Sequence, residues 1–390
     1  FPLSALIDSP ELLQKAATLY TNSKFPPNPT LGPLKKISNN KIRIGYFSPD
    51  FHEHPVSYLM AEVFELHDRD QFEIYGFSYG NNVNDTMRKR LRLAFDHFFE
   101  VTNKTSEEIC SLSREMQIDI AVDLCGYTEN AKTEIFAMRA APLQVSYIGF
   151  LGTMGSSYID YLIADNVIIP SNLRSYYTEN IIFLPTYQAN DSKRIAGNKK
   201  FTREEFGIEA SQFVFCNLNN LFKVTEEIFN VWLRILHKIP NSVLMLYAEN
   251  PQGVANLTKY AENKGLDPGR LKFVDHLPRE EYLARYKLVD LFLDTSPYNA
   301  GATASDALWM DVPVLTIQGK SFASRVASSL LTHINLHELI HNSYESYEKQ
   351  AVEFAMLPQK LSLTKAKLIN NKLSAPLFST SKFVKNLEKA

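Results

Sequence analysis

The stretch FVFCNLNNLFKVTEEIFNVWLRILHKIPNSVLMLY, residues 213–247, determines the fold class. It opens and closes with short apolar runs, residues 213–217 and 243–247, whose length and composition are typical of buried strands. Between the two runs, apolar residues recur at the spacing of one helix face: Ile228, Val231, Trp232, Ile235 and Leu236. A strand, a helix and a second strand in this order predict one βαβ unit of a parallel sheet.

The same alternation extends over most of the 390 residues. In the first half of the chain, short apolar runs predict strands at residues 42–47, 72–77, 118–124, 143–148 and 161–164. In the second half, they predict strands at residues 213–217, 243–247, 271–274, 288–293 and 312–317. Helical patterns lie between these runs, and the chain after residue 322 is mostly helical. The expected fold class is therefore α/β, with two Rossmann-like domains facing a cleft.

Shifts in composition suggest where the domains begin and end. Closely spaced prolines after a first helix, residues 9–20, predict a linker, because proline interrupts helices and sheets. A polar, glycine-containing segment, residues 190–200, predicts the boundary between the two large domains. The expected divisions are a helical lead-in with its linker, an N-terminal Rossmann-like domain, a C-terminal Rossmann-like domain and a C-terminal helix: residues 1–40, 41–190, 200–372 and 373–390.

Composition excludes several classes of protein. A formal charge of −2, with both signs mixed along the chain, gives no basic surface for nucleic acid or an anionic membrane. Three widely spaced cysteines, Cys110, Cys125 and Cys216, predict neither a zinc site nor a disulfide framework. The sequence has no apolar run of membrane-spanning length and no signal peptide, so we expect a cytoplasmic protein. Because the chain opens at Phe1 rather than a methionine, we expect it to be part of a longer protein.

One candidate cation follows the first strand of the second half. The sequence has neither a Walker phosphate loop nor a G-x-G-x-x-G motif, so phosphate binding would need other groups. Lys223 precedes a predicted helix with Thr225 as its N-cap, and the helix dipole disfavours a cation there. An anionic ligand would relieve this repulsion. An ordinary exposed loop lysine is the simpler interpretation.

The segment PYNAGATASDALW, residues 297–309, predicts a second strand-to-helix turn. Backbone amides near Gly301, Ala302 and Thr303 would be open to a phosphate, because small side chains leave the start of the helix unobstructed. Asp306 is a candidate for hydrogen bonds to ribose hydroxyls. Thr303 and Asp306 also fit the pattern of a capping box, which would need no ligand.

The first half contributes histidines and glycines near predicted strand ends. His52 and His54 in SPDFHEHPVSYL lie between the first strand and a helix, where a histidine can donate, accept or shuttle a proton. A solvent-facing loop is the alternative. Glycines such as Gly149 permit a ligand to approach the backbone closely, or they are ordinary turn residues.

The order of these segments resembles a known family. GYFSPDFHEHPVSYL, CGYTENAKTEIFAMRAAPLQVSYIGFLGTMG, FCNLNNLFKV, DTSPYNAGATASDALWMDVPVLT and GKSFASRVASSLL follow one another as in the catalytic region of the protein O-GlcNAc transferase and SPINDLY family, and the resemblance is to its bacterial type. It spans most of residues 41–340. It implies a GT-B fold of two Rossmann-like domains and metal-independent transfer of a sugar, with inversion, from a nucleotide to serine or threonine hydroxyls. No cofactor is expected.

The resemblance also implies roles for single residues. Lys223 would neutralise the donor diphosphate, Asp306 would hold the ribose, and His54 would position the acceptor or move its proton. The remaining donor-site residues implied are Asn220, Leu277, Arg279, Tyr282, Arg285, Gly301, Ala302 and Thr303. Those implied on the sugar and acceptor side are Tyr127, Thr128 and Gly149.

The chain also departs from the animal enzymes of the family. Gly301 and Ala302 replace a histidine and a threonine beside the β-phosphate, and Asn220 replaces a glutamine. Asp119 and Tyr282 each stand where those enzymes have a histidine. These departures bear on the choice of donor sugar.

The leading hypothesis is therefore a protein O-GlcNAc transferase that uses UDP-GlcNAc and a protein or peptide acceptor. Transfer of another sugar, glucose or fucose, is a second hypothesis. A catalytically silent nucleotide-sugar-binding module is a third, although a silent relative has no chemical reason to keep Lys223, His54 and Asp306. Relatives of this kind usually carry tetratricopeptide repeats upstream, so we expect such repeats in the full-length chain.

Overall fold

The computed structural model describes residues 2–34 and 39–390. Part of the predicted linker, residues 35–38, lies outside the described residues. The strands are β1 Ile42–Ser48, β2 Phe72–Ser78, β3 His97–Glu100, β4 Ile120–Asp123, β5 Leu143–Ser146, β6 Tyr161–Ala164, β7 Asn180–Phe183, β8 Phe213–Asn217, β9 Ser242–Tyr247, β10 Leu271–Val274, β11 Leu291–Leu293, β12 Val314–Ile317 and β13 Ile340–His341.

Many of these strands are connected by α-helices, and three further α-helices follow the last described strand. The α-helices are α1 Pro10–Lys24, α2 Pro55–Leu66, α3 Thr86–Ala94, α4 Ser106–Glu115, α5 Glu134–Ala137, α6 Glu226–Lys238, α7 Pro251–Asn263, α8 Arg279–Arg285, α9 Ala302–Trp309, α10 Val326–His333, α11 Tyr344–Met356, α12 Pro358–Lys372 and α13 Thr380–Lys389. Within the described ranges, none of these helices is both long enough and apolar enough to cross a membrane.

Two parallel sheets contain the described strands, which confirms the predicted α/β class. The first sheet has the order β3-β2-β1-β4-β5-β6-β7, and the second has the order β10-β9-β8-β11-β12-β13. Every strand pair is parallel. In each sheet the order reverses beside the first strand, β1 or β8, and ligands of such sheets bind at the carboxyl ends of the strands near this reversal.

The predicted βαβ unit is observed as β8, α6 and β9. Thr225 caps α6 by accepting a hydrogen bond from the Ile228 amide at 3.3 Å, as the sequence predicts. The five residues of the predicted apolar face are all buried. Trp232 is fully buried, and its Nε1 donates to the Tyr347 hydroxyl at 3.2 Å, which ties α6 to α11.

The structure contains three strands that the sequence analysis did not predict: β3, β7 and β13. Each lies at the edge of its sheet. The residues of these strands are half-buried or exposed, so they lack the continuous apolar run that marks a central strand. The predicted strand at residues 288–293 is also shorter than expected, because Tyr286–Leu288 forms a 3₁₀ helix.

The chain forms two compact units. One contains Ser9–Lys193 and Pro376–Ala390, with the first sheet, and the other contains Pro2–Asp8 and Arg194–Ala375, with the second sheet. The predicted lead-in is thus divided between the units after Asp8. The C-terminal segment with α13 belongs to the first unit, where Thr380 Oγ1 donates to the Asn190 carbonyl at 2.6 Å.

Candidate functional site

The second unit has its candidate site at the carboxyl ends of β8 and β11. After β8 the chain forms a 3₁₀ helix, Leu221–Lys223, and then enters α6. Lys223 is half-buried there rather than an exposed loop lysine. Its Nζ donates to the Asn299 carbonyl at 3.1 Å and to Asn219 Oδ1 at 3.3 Å, and lies 4.4 Å from the centre of the Tyr298 ring.

The surroundings of Lys223 affect its charge. Burial lowers the pKa of Lys223 below its ordinary value, while the nearby Asp294 carboxylate acts in the opposite direction. Asp294 is itself buried, and it accepts hydrogen bonds from the Thr295 and Ala300 amides at 2.7 Å and from Thr316 Oγ1 at 2.6 Å. A partly desolvated ammonium of this kind interacts more strongly with an anion than a fully hydrated one does.

Asn219 links Lys223 to the second predicted segment, and the sequence analysis did not identify it. Its Oδ1 accepts from Lys223 Nζ and also from Thr303 Oγ1, the latter at 2.7 Å. The neighbouring Asn220, which the resemblance implied, is exposed and caps the 3₁₀ helix through the Phe222 amide at 3.3 Å. The signal for Asn219 was its place directly after a buried strand in an Asn-rich turn.

The start of α9 has no side-chain cap. Its N-cap residue is Gly301, and Ala302 begins the helix. The capping-box interpretation is wrong, because the Thr303 hydroxyl bonds to Asn219 and the Asp306 carboxylate bonds to arginines. Within the described part of the chain, no side chain caps the first amides of α9, which is the arrangement in which helix N-termini bind phosphate.

Asp306 lies within a buried charge cluster. Oδ1 accepts from Arg194 Nη1 at 2.9 Å and from Arg279 Nη2 at 2.6 Å, and Oδ2 accepts from Arg279 Nη1 at 2.6 Å. Asp306 is 1% exposed, and the guanidinium of Arg194 lies 5.6 Å from the centre of the Trp309 ring. Three guanidinium donors occupy this carboxylate, so a ribose hydroxyl would share it with Arg194 and Arg279.

The remaining donor-site candidates lie on α8 and just before it. Leu277 is half-buried in the preceding loop. The Tyr282 hydroxyl bonds to that of Tyr286 at 2.8 Å, and Tyr286 donates to the Thr303 carbonyl at 3.1 Å, so α8 is connected to the start of α9. Arg285 is 1% exposed and donates to the Asp275 carbonyl at 3.0 Å, while its Nε and Nη2 have no hydrogen-bond partner among the described residues.

Asp290 and Asp294 lie at opposite ends of β11. Asp290 precedes the strand and accepts from Arg203 Nη2 at 3.0 Å, whereas Asp294 follows it. They therefore cannot form a pair of metal ligands. Among the residues the structure describes, no cluster of three or more histidine, cysteine or acidic side chains could hold a metal ion.

In the first unit, His54 is the N-cap of α2. Its Nδ1 accepts from the Val56 amide at 3.3 Å, and burial lowers its pKa to about 4, with His52 acting in the same direction. His54 is therefore neutral at pH 7. A neutral ring that accepts at Nδ1 carries its proton on Nε2, so the other nitrogen is a hydrogen-bond donor.

Asp50 lies beside both histidines, and the sequence analysis did not identify it. Its carboxylate oxygens lie 3.7 Å from His54 Nδ1 and 4.0 Å from His52 Nε2. Burial, together with the smaller effect of the Glu129 charge, raises the pKa of Asp50 to about 7. Asp50 can therefore gain or lose a proton near neutral pH.

The other first-unit candidates are occupied by contacts within the unit. The Tyr127 hydroxyl bonds to Thr21 of α1 and to the Met154 carbonyl, and Thr128 Oγ1 donates to the Cys125 carbonyl at 2.9 Å. A Cβ on Gly149 would lie 2.0 Å from the Leu124 carbonyl oxygen, so this glycine lets two backbone segments approach each other.

Asp119 lies at the amino ends of the strands in the first sheet, opposite the carboxyl ends where ligands bind. It immediately precedes β4, and its Oδ2 accepts from the Arg43 amide at 2.9 Å. Asp119 therefore connects the start of β4 to β1, and it does not lie at the carboxyl ends of the strands.

Comparison with known sequences places the chain in a family. The profile of glycosyl transferase family 41 matches residues 28–197 and 188–387. The chain belongs to glycosyl transferase family 41. This match confirms the resemblance to O-GlcNAc transferases and SPINDLY proteins that the sequence motifs indicate.

Individual relatives support the family assignment. A probable UDP-N-acetylglucosamine–peptide N-acetylglucosaminyltransferase SEC of Arabidopsis thaliana is 37% identical over all of this chain, which spans 41% of that relative. A probable SPINDLY enzyme of Solanum lycopersicum is 30% identical over 94% of the chain and 40% of its own length. The chain thus spans about two-fifths of the length of these family 41 relatives.

A solved structure of the family has the same fold. A mutant of the Thermobaculum terrenum O-GlcNAc transferase is 29% identical, with a TM-score of 0.87 over 99% of this chain and 74% of that structure. The expected GT-B-like α/β fold is confirmed by this match.

The Asp306 cluster leads to a prediction about stability. Asp306→Asn removes the negative charge that neutralises two guanidinium groups, one of them buried, so the free energy of unfolding should fall by on the order of 3 kcal/mol. Chemical denaturation of the variant measures this loss. Asp290→Asn is the matched control, because its ion pair with Arg203 is partly exposed and should contribute about 1 kcal/mol or less. Equal stability of the Asp306 variant and the wild type would contradict the assigned role.

Proposed function

We propose that the protein is an inverting, metal-independent glycosyltransferase that moves GlcNAc from UDP-GlcNAc to serine or threonine hydroxyls of proteins. The observation that carries the proposal is the connection, through Asn219, between the half-buried Lys223 ammonium and the uncapped start of α9. Together these groups form a cationic and amide-lined site, and a cation with free helix amides is the chemistry that binds a diphosphate. The relatives named for UDP-GlcNAc–peptide transfer support the choice of substrates.

The charge of the leaving group determines what this site must do. In the transfer, the acceptor oxygen forms a bond to the anomeric carbon while the bond from that carbon to the β-phosphate oxygen breaks. Negative charge then grows on the departing UDP. Lys223 and the amides at the start of α9 are already oriented, so they stabilise this charge without having to reorganise.

On the acceptor side, we propose that His54 orients the sugar or the acceptor and does not remove the proton of the acceptor hydroxyl. Its Nε2–H can donate a hydrogen bond to the sugar or to the acceptor, because Nδ1 is occupied by the amide of α2. Asp50 lies next to it and changes protonation state near neutral pH, which suits a group that receives the acceptor proton.

The choice of donor sugar is the most direct test of the function. With a panel of nucleotide sugars, we expect UDP-GlcNAc to support transfer to a peptide with a higher kcat/KM than UDP-glucose or GDP-fucose. A preference for another donor would favour the second hypothesis. Tight binding of UDP-GlcNAc without hydrolysis or transfer would indicate the silent binding module.

The relatives' further length leaves room for additional domains, and we include upstream tetratricopeptide repeats and a cytoplasmic location in the proposal.

Substitution of Lys223 tests the central assignment. Lys223→Ala should lower kcat/KM for transfer by at least about a hundredfold, since it removes one preorganised group that stabilises the leaving diphosphate. Steady-state kinetics with a peptide acceptor measures the loss. Lys259→Ala, which removes an exposed lysine of α7 in the same unit, is the control and should be active. Near-normal activity of the Lys223 variant would remove the central assignment.

Chelation tests the independence from metal. Activity should be unchanged, within about twofold, after treatment with EDTA, because an ammonium and helix amides can neutralise the diphosphate as a divalent ion would. Initial rates before and after chelation, with EGTA as a second chelator, provide the measurement. Loss of turnover that Mg²⁺ or Mn²⁺ restores would refute the metal-free mechanism.

A further inference from the structure

The GKSFASR segment, residues 319–325, has no role in the function described above. It joins β12 to α10 at the carboxyl edge of the second sheet. The Asp8 carboxylate binds to it: Oδ1 accepts from the Ser321 amide at 2.7 Å, the Ser324 hydroxyl at 2.6 Å and the Lys320 amide at 3.0 Å. Oδ2 also accepts from the Lys320 amide, at 2.9 Å. An acidic side chain more than 300 positions away in sequence thus satisfies two consecutive backbone amides.

The segment is shaped to accept this carboxylate. A Cβ on Gly319 would lie 2.3 Å from Asp8 Oδ2, so only glycine allows the two to approach this closely. Burial by itself would raise the pKa of Asp8, but the hydrogen bonds from Ser324, Ser321 and Lys320 lower it overall. Asp8 is therefore ionised at neutral pH, and its bonds to the amides are charge-assisted.

The same segment supports the residues around Lys223. The Ala323 carbonyl accepts from the Asn299 amide at 2.9 Å, and the Asn299 carbonyl accepts from Lys223 Nζ at 3.1 Å. A continuous path of hydrogen bonds and short backbone segments thus runs from Asp8 to the ammonium. The residues before Asp8 also contact the surroundings of Lys223, because the 3₁₀ helix Pro2–Ala5 packs against the 3₁₀ helix Leu221–Lys223.

We propose that Asp8 is a positioning residue for Lys223. It anchors the GKSFASR segment and the Pro2–Ala5 helix, and through Asn299 it sets the place of the ammonium. This inference rests on the proposed function, in which Lys223 contacts the diphosphate. A purely structural tether would stabilise the unit without affecting the affinity of correctly folded molecules for that diphosphate.

The test compares Asp8→Asn with the wild type in two measurements. Asparagine keeps the shape of the side chain but loses the charge and one acceptor oxygen. Hydrogen–deuterium exchange followed by mass spectrometry should show exchange about tenfold faster at residues 297–300, because opening of the segment exposes the Asn299 amide. Calorimetric titration with UDP should show a Kd about tenfold higher, the scale expected when a charged contact moves out of place.

Three further variants make the result specific. Lys320→Ala should behave as the wild type, because Lys320 contributes its backbone amide and not its side chain. Ser9→Ala is a second control, since it removes the cap of α1 in the first unit but leaves the bonds of Asp8 in place. Ser324→Ala removes the hydroxyl that donates to Asp8, so it should make exchange faster and UDP binding weaker, as Asp8→Asn does. It takes the place of Asp8→Asn in the test if the Asp8 variant folds poorly.

The outcomes separate this inference from the proposed function. Faster exchange at residues 297–300 together with weaker UDP binding at unchanged stoichiometry supports the positioning role. A lower stoichiometry with the wild-type Kd would overturn it in favour of a structural tether. Unchanged exchange would overturn it whatever the affinity. If the wild type itself fails to bind UDP, the proposed function fails, and exchange at residues 297–300 alone decides whether Asp8 holds this segment.

Discussion

The second unit is organised around an ammonium that is partly removed from water without being given a direct ion pair. Lys223 is held by a backbone carbonyl, an amide oxygen and the face of a tyrosine ring, and the nearest carboxylate, Asp294, bonds to amides and a hydroxyl instead. Burying such a cation costs free energy, and the binding of an anionic ligand beside it offsets part of that cost. The turns after β8, β11 and β12 all contribute to this arrangement, because each supplies a polar atom that the lysine or its neighbours need.

The sequence predicted the parts of this architecture that depend on local pattern. The central strands and the Thr225 cap follow from short apolar runs and from the residues that begin helices, and the structure confirms them. Edge strands such as β3 and β13 lack a continuous buried face, so periodicity could not reveal them. Lys223 and the start of α9 were identifiable because both follow predicted strands, where open α/β sheets bind ligands.

The errors concern side-chain partners that are distant in sequence. Thr303 and Asp306 fit a local capping pattern, but Asp306 instead pairs with Arg194, which lies 112 residues away. The contact of Asn219 with Lys223 could not be inferred from the sequence, since side-chain directions in a turn are set by contacts rather than by a fixed period. In the first unit, Tyr127 is bonded to Thr21 of a helix that the sequence analysis placed in a separate lead-in.

The division of the chain into units affects how family members could be recombined. Asp8 and Ser9 are adjacent in sequence, yet Asp8 completes the unit of the second sheet while Ser9 caps a helix of the first. The chain passes from one unit to the other again after Lys193 and after Ala375. A chimaera that exchanged only residues 194–375 would separate the amides of Lys320 and Ser321 from the Asp8 carboxylate that accepts their hydrogen bonds. An exchange of the whole second unit between homologues therefore has to include residues 2–8 together with residues 194–375.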